Sequence, residues 1–314
     1  MLAAAAASNM LRSFPNIHIG LMVGIGGGVP GSGGNRGADI RLGDVIVGEL
    51  VLQYDLGKTG HDGRFERTHG FGQPPDDILT AVKKLCANHE LTPSRIPEIL
   101  SDMMERHPSM KDCYARPVSV ADHLFDAAYD HGKVGSSGTD DDDDDDDDAC
   151  GCCGSSGLVD RPTRSTDHPM IHYERIASGN QVIKHGATRD RLAGELGAIC
   201  FDMEAAGLVD ASFPCLVIRG ISDYAKNGLW QEYAAGTAAS YVKELLLSIV
   251  PADQACDSRR REKIWRPFFE HLRQMMLRFL QDLFFDEIKE RRGRIPAAFH
   301  RTFEWIYHTP AEPD

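Results

Sequence analysis

Hydrophobic positions along the chain change period several times, and each change marks an element. Residues 2 to 14 join a run of alanines to Met10, Leu11 and Phe14, which predicts a helix that Pro15 stops. Ile17 to Val23 is an apolar run with β-branched residues that ends in Gly24-Ile25-Gly26-Gly27-Gly28, a buried strand emptying into a glycine loop. Asp44 to Leu52 predicts a second strand. Helical spacing follows at Pro75 to Glu90, through Ile78, Leu79, Val82 and Leu85, and again at Pro97 to His107. From Met170 the pattern predicts a strand at Ile171 to Ser178, a helix at Arg189 to Leu196, a strand through Cys200, a helix from Glu204 and a strand at Cys215 to Arg219. A last helix spans Trp230 to Ile249, before Pro251. Alternating strands and helices imply a mostly parallel or mixed sheet covered by helices.

Two stretches interrupt this pattern. Val134 to Gly157 is Gly, Ser, Asp and Cys with almost nothing to bury, and it is expected to be a disordered insertion. Beyond residue 258 basic residues join large aromatics, and Trp265, Phe268, Phe269, Leu272, Met276, Phe279, Leu280 and Phe284 recur three or four apart. This predicts an amphipathic helix ending near Gly293 and Pro296, then a short one through Phe299, Phe303 and Ile306. The chain therefore divides into a large α/β unit over 1–251 and a helical segment over 258–314.

Charge and cysteine usage exclude several classes. The net charge of −13 falls to −4 once the nine aspartates of Asp140 to Asp148 are set aside, an ordinary value with no sign of nucleic-acid binding. Eight cysteines without a disulfide-framework spacing suit a reducing, cytoplasmic setting. The alanine run at the start lacks a basic flank, so it reads as a helix rather than a signal. No apolar stretch approaches the roughly 20 residues of a membrane span.

Three segments bear on chemistry. In Val23 to Gly28 the glycines would let a ligand approach backbone amides, although the same residues also serve a turn with no ligand. Pro30 and the lack of a helix opening on the third glycine argue against a dinucleotide fingerprint, and no phosphate-loop pattern occurs. In Phe201-Asp202-Met203-Glu204-Ala205-Ala206 a carboxylate at a strand-to-helix junction can accept from two sugar hydroxyls, with a polarizable methionine beside it. In Arg219-Gly220-Ile221-Ser222-Asp223-Tyr224-Ala225 an aspartate follows a buried strand, where α/β proteins place ligand-binding groups. Singly, either acid would equally suit a cap or a turn.

Together with Leu42-Gly43-Asp44-Val45-Ile46-Val47, and in that order, these segments resemble the purine nucleoside phosphorylase and nucleosidase superfamily, including its methylthioadenosine/S-adenosylhomocysteine nucleosidases. The resemblance covers roughly residues 10 to 250. Ile176 to Val182 and Trp230 to Ala235 look most like the version fused into large fungal receptors of the NACHT type. It implies a three-layer sandwich around a mixed central sheet, here N-terminally truncated because the family's first strands would precede residue 2. It also implies cleavage of the N-glycosidic bond of a purine nucleoside, without a cofactor other than phosphate as co-substrate in a phosphorylase. Asp223 would be catalytic, protonating or hydrogen-bonding N7 of the leaving purine. Glu204 would hold the ribose hydroxyls, Met203 would line the sugar, and Ile25, Gly26, Gly27, Val182 and Ser222 would complete the substrate site.

Family phosphorylases flank the first loop glycine with an arginine and a serine, where this chain has Met22 and Ile25, so hydrolysis is favoured over phosphorolysis. The alternative function is a catalytically weak nucleoside-binding or signalling module of a larger receptor. Phe279 to Phe285, Arg291-Arg292 and Thr302 to Ile306 resemble the connector that precedes an NTPase domain in such receptors, or else form a helix packing back on the main unit. An NTPase domain or partner on these helices, and a homo-oligomer, are the further partners that the resemblance allows. Cys150, Cys152 and Cys153 lack the paired second half of a zinc site, so no metal is expected, and His61, His69 and His89 read as surface histidines.

Overall fold

The computed structural model describes residues 2–14, 16–31, 39–68, 71–118, 122–129, 157–224 and 229–249. The expected insertion, apart from its last residue Gly157, and the helical segment over 258–314 lie outside the described residues, as do Cys150, Cys152, Cys153 and His69. Among the described residues, no helix is long and apolar enough to cross a membrane.

Helix α1 spans Leu2–Ser13, and strands β1 (Gly20–Gly28) and β2 (Val45–Gln53) follow. A small hairpin of β3 (Gly57–Thr59) and β4 (Phe65–Arg67) leads to a short strand β5 (Phe71–Gly72). Helices α2 (Asp76–Leu91) and α3 (Ile96–Arg106) come next, then a 3-10 turn and α4 (Lys111–Tyr114). The second half contains β6 (Ile171–Ser178), α5 (Gly186–Leu196), β7 (Cys200–Asp202), α6 (Ala205–Asp210), β8 (Cys215–Asp223) and α7 (Gln231–Ile249).

Local chemistry explains several boundaries. Asp76 and Asp77 occupy the first turn of α2, where carboxylates meet the positive end of the helix dipole. Helix α5 starts where the His185 ring accepts from the Thr188 amide, and stops at Gly197, whose φ of 64° is the left-handed conformation that ends helices. The glycine run, expected as a loop, continues strand β1 to Gly28 because β8 pairs with it on one side and β7 on the other.

The sheet is mixed, as expected, but the expected three-layer sandwich gives way to a closed ring. Strand β2 pairs in parallel with β6, β6 in parallel with β7, β7 antiparallel with β1, and β1 in parallel with β8. Antiparallel pairing of Val45–Gly48 with Gly220–Val217 then joins β8 back to β2. The remaining stretch of that β2 edge, at Val51 and Leu52, takes β5 instead. A register shift in β2 between Gly48 and Leu50 bends the strand, the usual device for closing a sheet and removing its exposed edges.

Alternation along the strands sorts most of the core into two of its three clusters, the third gathering Tyr54, Ala177, Leu192 and Phe201. Ile46 of β2 joins Val217 and Ile221 of β8, Ile176 and Cys200 in one. Val45 and Val47 join Leu216 and Ile218 in the other, beneath Ile78 and Val82 of α2 and Tyr241 and Leu245 of α7. Helix α7 lies against β8, β1 and α3.

Two buried carboxylates pin the layers. Asp44, at 1% exposure, accepts from Arg164 at 2.7 and 2.8 Å, from the Arg41 and Met170 amides, and pairs with His172 at 3.1 Å. Burial alone would raise its pKa, yet the hydrogen bonds from Arg164 and His172 hold it below the usual carboxylate range. Glu244 of α7 pairs with His89 at 3.0 Å and accepts from Ser94 and from the Arg95 amide. His89 is therefore an internal joint of α2 and α7 rather than the surface histidine expected, whereas His61 is exposed.

Candidate functional site

The site forms where β1 runs between β8 and β7. Gly26 lies opposite Ile221 and Gly27 opposite Asp223, with a register shift between the two, so the end of β8 is drawn alongside the glycines. Strand β7 runs the other way, with Phe201 opposite Gly27. The chain leaving β7 through Asp202-Met203-Glu204 thus passes back along β1 toward Gly24. The carboxyl ends of β1, β7 and β8 thus meet at one pocket, with Asp223 and Glu204 reaching it from opposite directions because β7 runs antiparallel to β1.

That pocket encloses about 250 Å³. Asp223, Ser222, Ile25, Gly26, Gly27, Val182, Met203 and Glu204, all singled out from the sequence, line it. Arg189, Asp202, Gln181, Ile183, Phe201 and Gln231 line it as well and were not foreseen. Ser222 donates to Asp223 Oδ2 at 2.8 Å, and a Cβ built on Gly27 would lie 3.3 Å from Asp223 Oδ1, so this carboxyl sits against bare backbone. Met203 and Val182 are 44% and 63% exposed, so they offer their surface to the opening rather than to the core.

Arg219 organises the acidic side. Its Nε and Nη2 donate to Asp202 Oδ2 at 2.8 and 2.5 Å, and Nη2 also donates to Glu204 Oε2 at 3.2 Å. Asp202 and Arg219 are buried while the Glu204 side chain is half exposed, so one arginine offsets a hidden carboxylate and steadies a presented one. Gly24 makes room for it: a Cβ there would lie 2.2 Å from Arg219 Nη1. The signal in the sequence was a lone arginine inside the apolar strand Leu216-Val217-Ile218-Arg219.

Segment 180–183 is held from outside the pocket. Tyr54 donates its hydroxyl to the Gln181 carbonyl at 2.9 Å, and the Asn180 amide and side chain both donate to Asp55 Oδ2. Cys200 lies beneath Gly26, and burial pushes its thiol up, so it stays a protonated packing group rather than a nucleophile. Among the described residues, no group of three or more His, Cys, Asp or Glu could hold a metal ion. The arrangement offers one carboxyl against backbone glycines, a second carboxylate steadied by an arginine, and an apolar rim.

No protein-family model matches the chain. It is 38% identical over 292 residues, 87% of its length, to a nucleotide-binding leucine-rich repeat (NLR)-like protein of Hyaloscypha variabilis, of which it spans 27%. It is 37% identical over 94 residues to the 5′-methylthioadenosine/S-adenosylhomocysteine nucleosidase of Mycobacterium bovis, 28% of this chain and 37% of that protein. The chain thus spans well under half the length of these relatives. Among solved structures, a Helicobacter pylori 5′-methylthioadenosine/S-adenosylhomocysteine nucleosidase matches 79% of this chain and 75% of its own, at 16% identity and a TM-score of 0.44. The futalosine hydrolase of the same organism matches the same shares at 15% identity and a TM-score of 0.42.

Proposed function

We propose, from the premise that the chain carries a domain of the purine nucleoside phosphorylase and nucleosidase superfamily, that its pocket breaks the N-glycosidic bond of a purine nucleoside. The observation carrying this reading is that Asp223, Glu204 and the glycine backbone of β1, far apart in sequence, line one cavity. Glu204, steadied by Arg219 and half exposed, accepts from the ribose 2′- and 3′-hydroxyls, and Met203 covers the sugar face. Ile25, Gly26 and Gly27 form the wall, and Val182 covers the base.

As the bond breaks, the sugar gains oxocarbenium character and the purine leaves with negative charge. Asp223 gives a proton or a strengthening hydrogen bond to N7, and Ser222 fixes the orientation of its carboxyl. Met22 and Ile25 supply no anion-binding group, so water is favoured over phosphate as the acceptor of the ribosyl group. The test is chromatographic: purified chain incubated with adenosine and with inosine, with and without phosphate, should release free purine and ribose at a rate indifferent to phosphate. Ribose 1-phosphate as product would reverse the preference for hydrolysis, and no free base from any purine nucleoside would end the enzyme reading.

A second reading is supported by the Hyaloscypha relative, an NLR-like protein of which this chain matches about a quarter. In it the same pocket binds a nucleoside as a receptor module and turns over little. Tight nucleoside binding without release of base would select it.

A further inference from the structure

Arg189 lines the pocket, yet the chemistry above does not use it. It stands in the first turns of α5, just after the pocket segment 181–183, and is 5% exposed. Nε donates to Asp190 at 2.7 Å, and Nη1 donates at 2.8 Å to the carbonyl of Tyr224, the residue that follows Asp223. Among the described residues, nothing accepts a hydrogen bond from Nη2. A guanidinium donates from every nitrogen and accepts from none. The pocket is thus bordered, beside the end of β8 that carries Asp223, by a buried cation with a donor nitrogen unspent. The Arg219 and Glu204 pair marks the other end, near Gly24.

We infer that Arg189 sets the base preference of the site, donating to the carbonyl oxygen of a 6-oxopurine nucleoside such as inosine and disfavouring adenosine. The inference rests on the proposed placing of the base, with N7 against Asp223. On a purine the substituent next to N7 is the one at C6, an acceptor oxygen in hypoxanthine or guanine and a donor amino group in adenine. With N7 at Asp223, the C6 substituent is the nearest edge group for a guanidinium fixed one residue beyond it. An amino group there would set donor against donor and leave Arg189 Nη2 without an acceptor. Sites built to hydrogen-bond one substituent reject the analogue that lacks it far more strongly than apolar pockets reject a change of size.

The test is calorimetric binding of inosine and adenosine to the purified chain, with base release measured in parallel. Inosine should be preferred by roughly ten- to hundredfold, the worth of a hydrogen bond to a charged group. Arg189→Met, which keeps the length but removes every donor, should weaken inosine and bring the two nucleosides level. Arg189→Lys should keep part of the preference. Circular dichroism checks that the variants fold, and if they do not, the ratio measured on the parent chain decides. A parent that handles both nucleosides equally, or prefers adenosine, overturns the inference and leaves N-glycosidic cleavage standing. So does a folded Arg189→Met variant that keeps the inosine preference. A parent that binds neither nucleoside overturns both proposals.

Discussion

Asp202, Arg219 and Glu204 show how burial divides labour among charges of one cluster. The Asp202 side chain is fully buried and Arg219 nearly so, which makes their pair a structural commitment, while Glu204 reaches the opening. Arg219→Met strips Asp202 of its cation and should cost about 3–5 kcal/mol of stability, read by urea unfolding. Glu204→Gln should fold normally, because its partner remains satisfied by Asp202. Its kcat/KM for a nucleoside should drop roughly ten- to hundredfold through the loss of charged hydrogen bonds to the ribose. A variant that unfolds instead would mean that Glu204 serves the fold and not the ligand. Asp202 itself gave no sign in the sequence beyond its place beside Met203, since a buried acid and a solvated one look alike until their neighbours are known.

At the scale of elements, regular segments with a clear period were legible and irregular ones were not. Strand β6 and helices α1, α2, α3 and α7 lie where the apolar spacing put them, within a residue or two. The glycine run read as a loop because glycine has no strand preference. It is a strand because β8 and β7 pair with it on either side, and such long-range pairing leaves no local trace. Closure of the sheet was likewise invisible, since it depends on β8 pairing with β2, more than 160 residues away in sequence. The stretch 157–170 offered no pattern at all, yet Arg161 and Arg164 tie it to Tyr224 and Asp44. Arg164→Leu should therefore cost about 3–5 kcal/mol at neutral pH by leaving Asp44 short of its cation. Because the folded Asp44 pKa is depressed, its contribution is present above the ordinary carboxylate range near 4 and fades as pH falls through the folded value. Stability measured against pH should thus fall less steeply below about 4 in Arg164→Leu than in the parent, and parallel curves would remove Asp44 as the group responsible.

For the whole molecule, the residues picked for chemistry from short motifs all border one cavity, where the carboxyl ends of β1, β7 and β8 meet. Parallel strand ends bring Asp223 to the glycines, but Glu204 arrives along an antiparallel strand. The chain spans about a quarter of an NLR-like relative, and the two proposed readings of the cavity, enzyme and receptor module, divide on turnover. The most direct measurement is a comparison of the parent with Asp223→Asn, recording nucleoside dissociation constant and turnover on the same preparations. The amide keeps size and hydrogen bonding but cannot transfer a proton. Turnover should fall by about 10² to 10⁴ with binding little changed, the usual loss when a general acid is removed. An Asp223→Asn chain that binds and cleaves as fast as its parent would contradict the account.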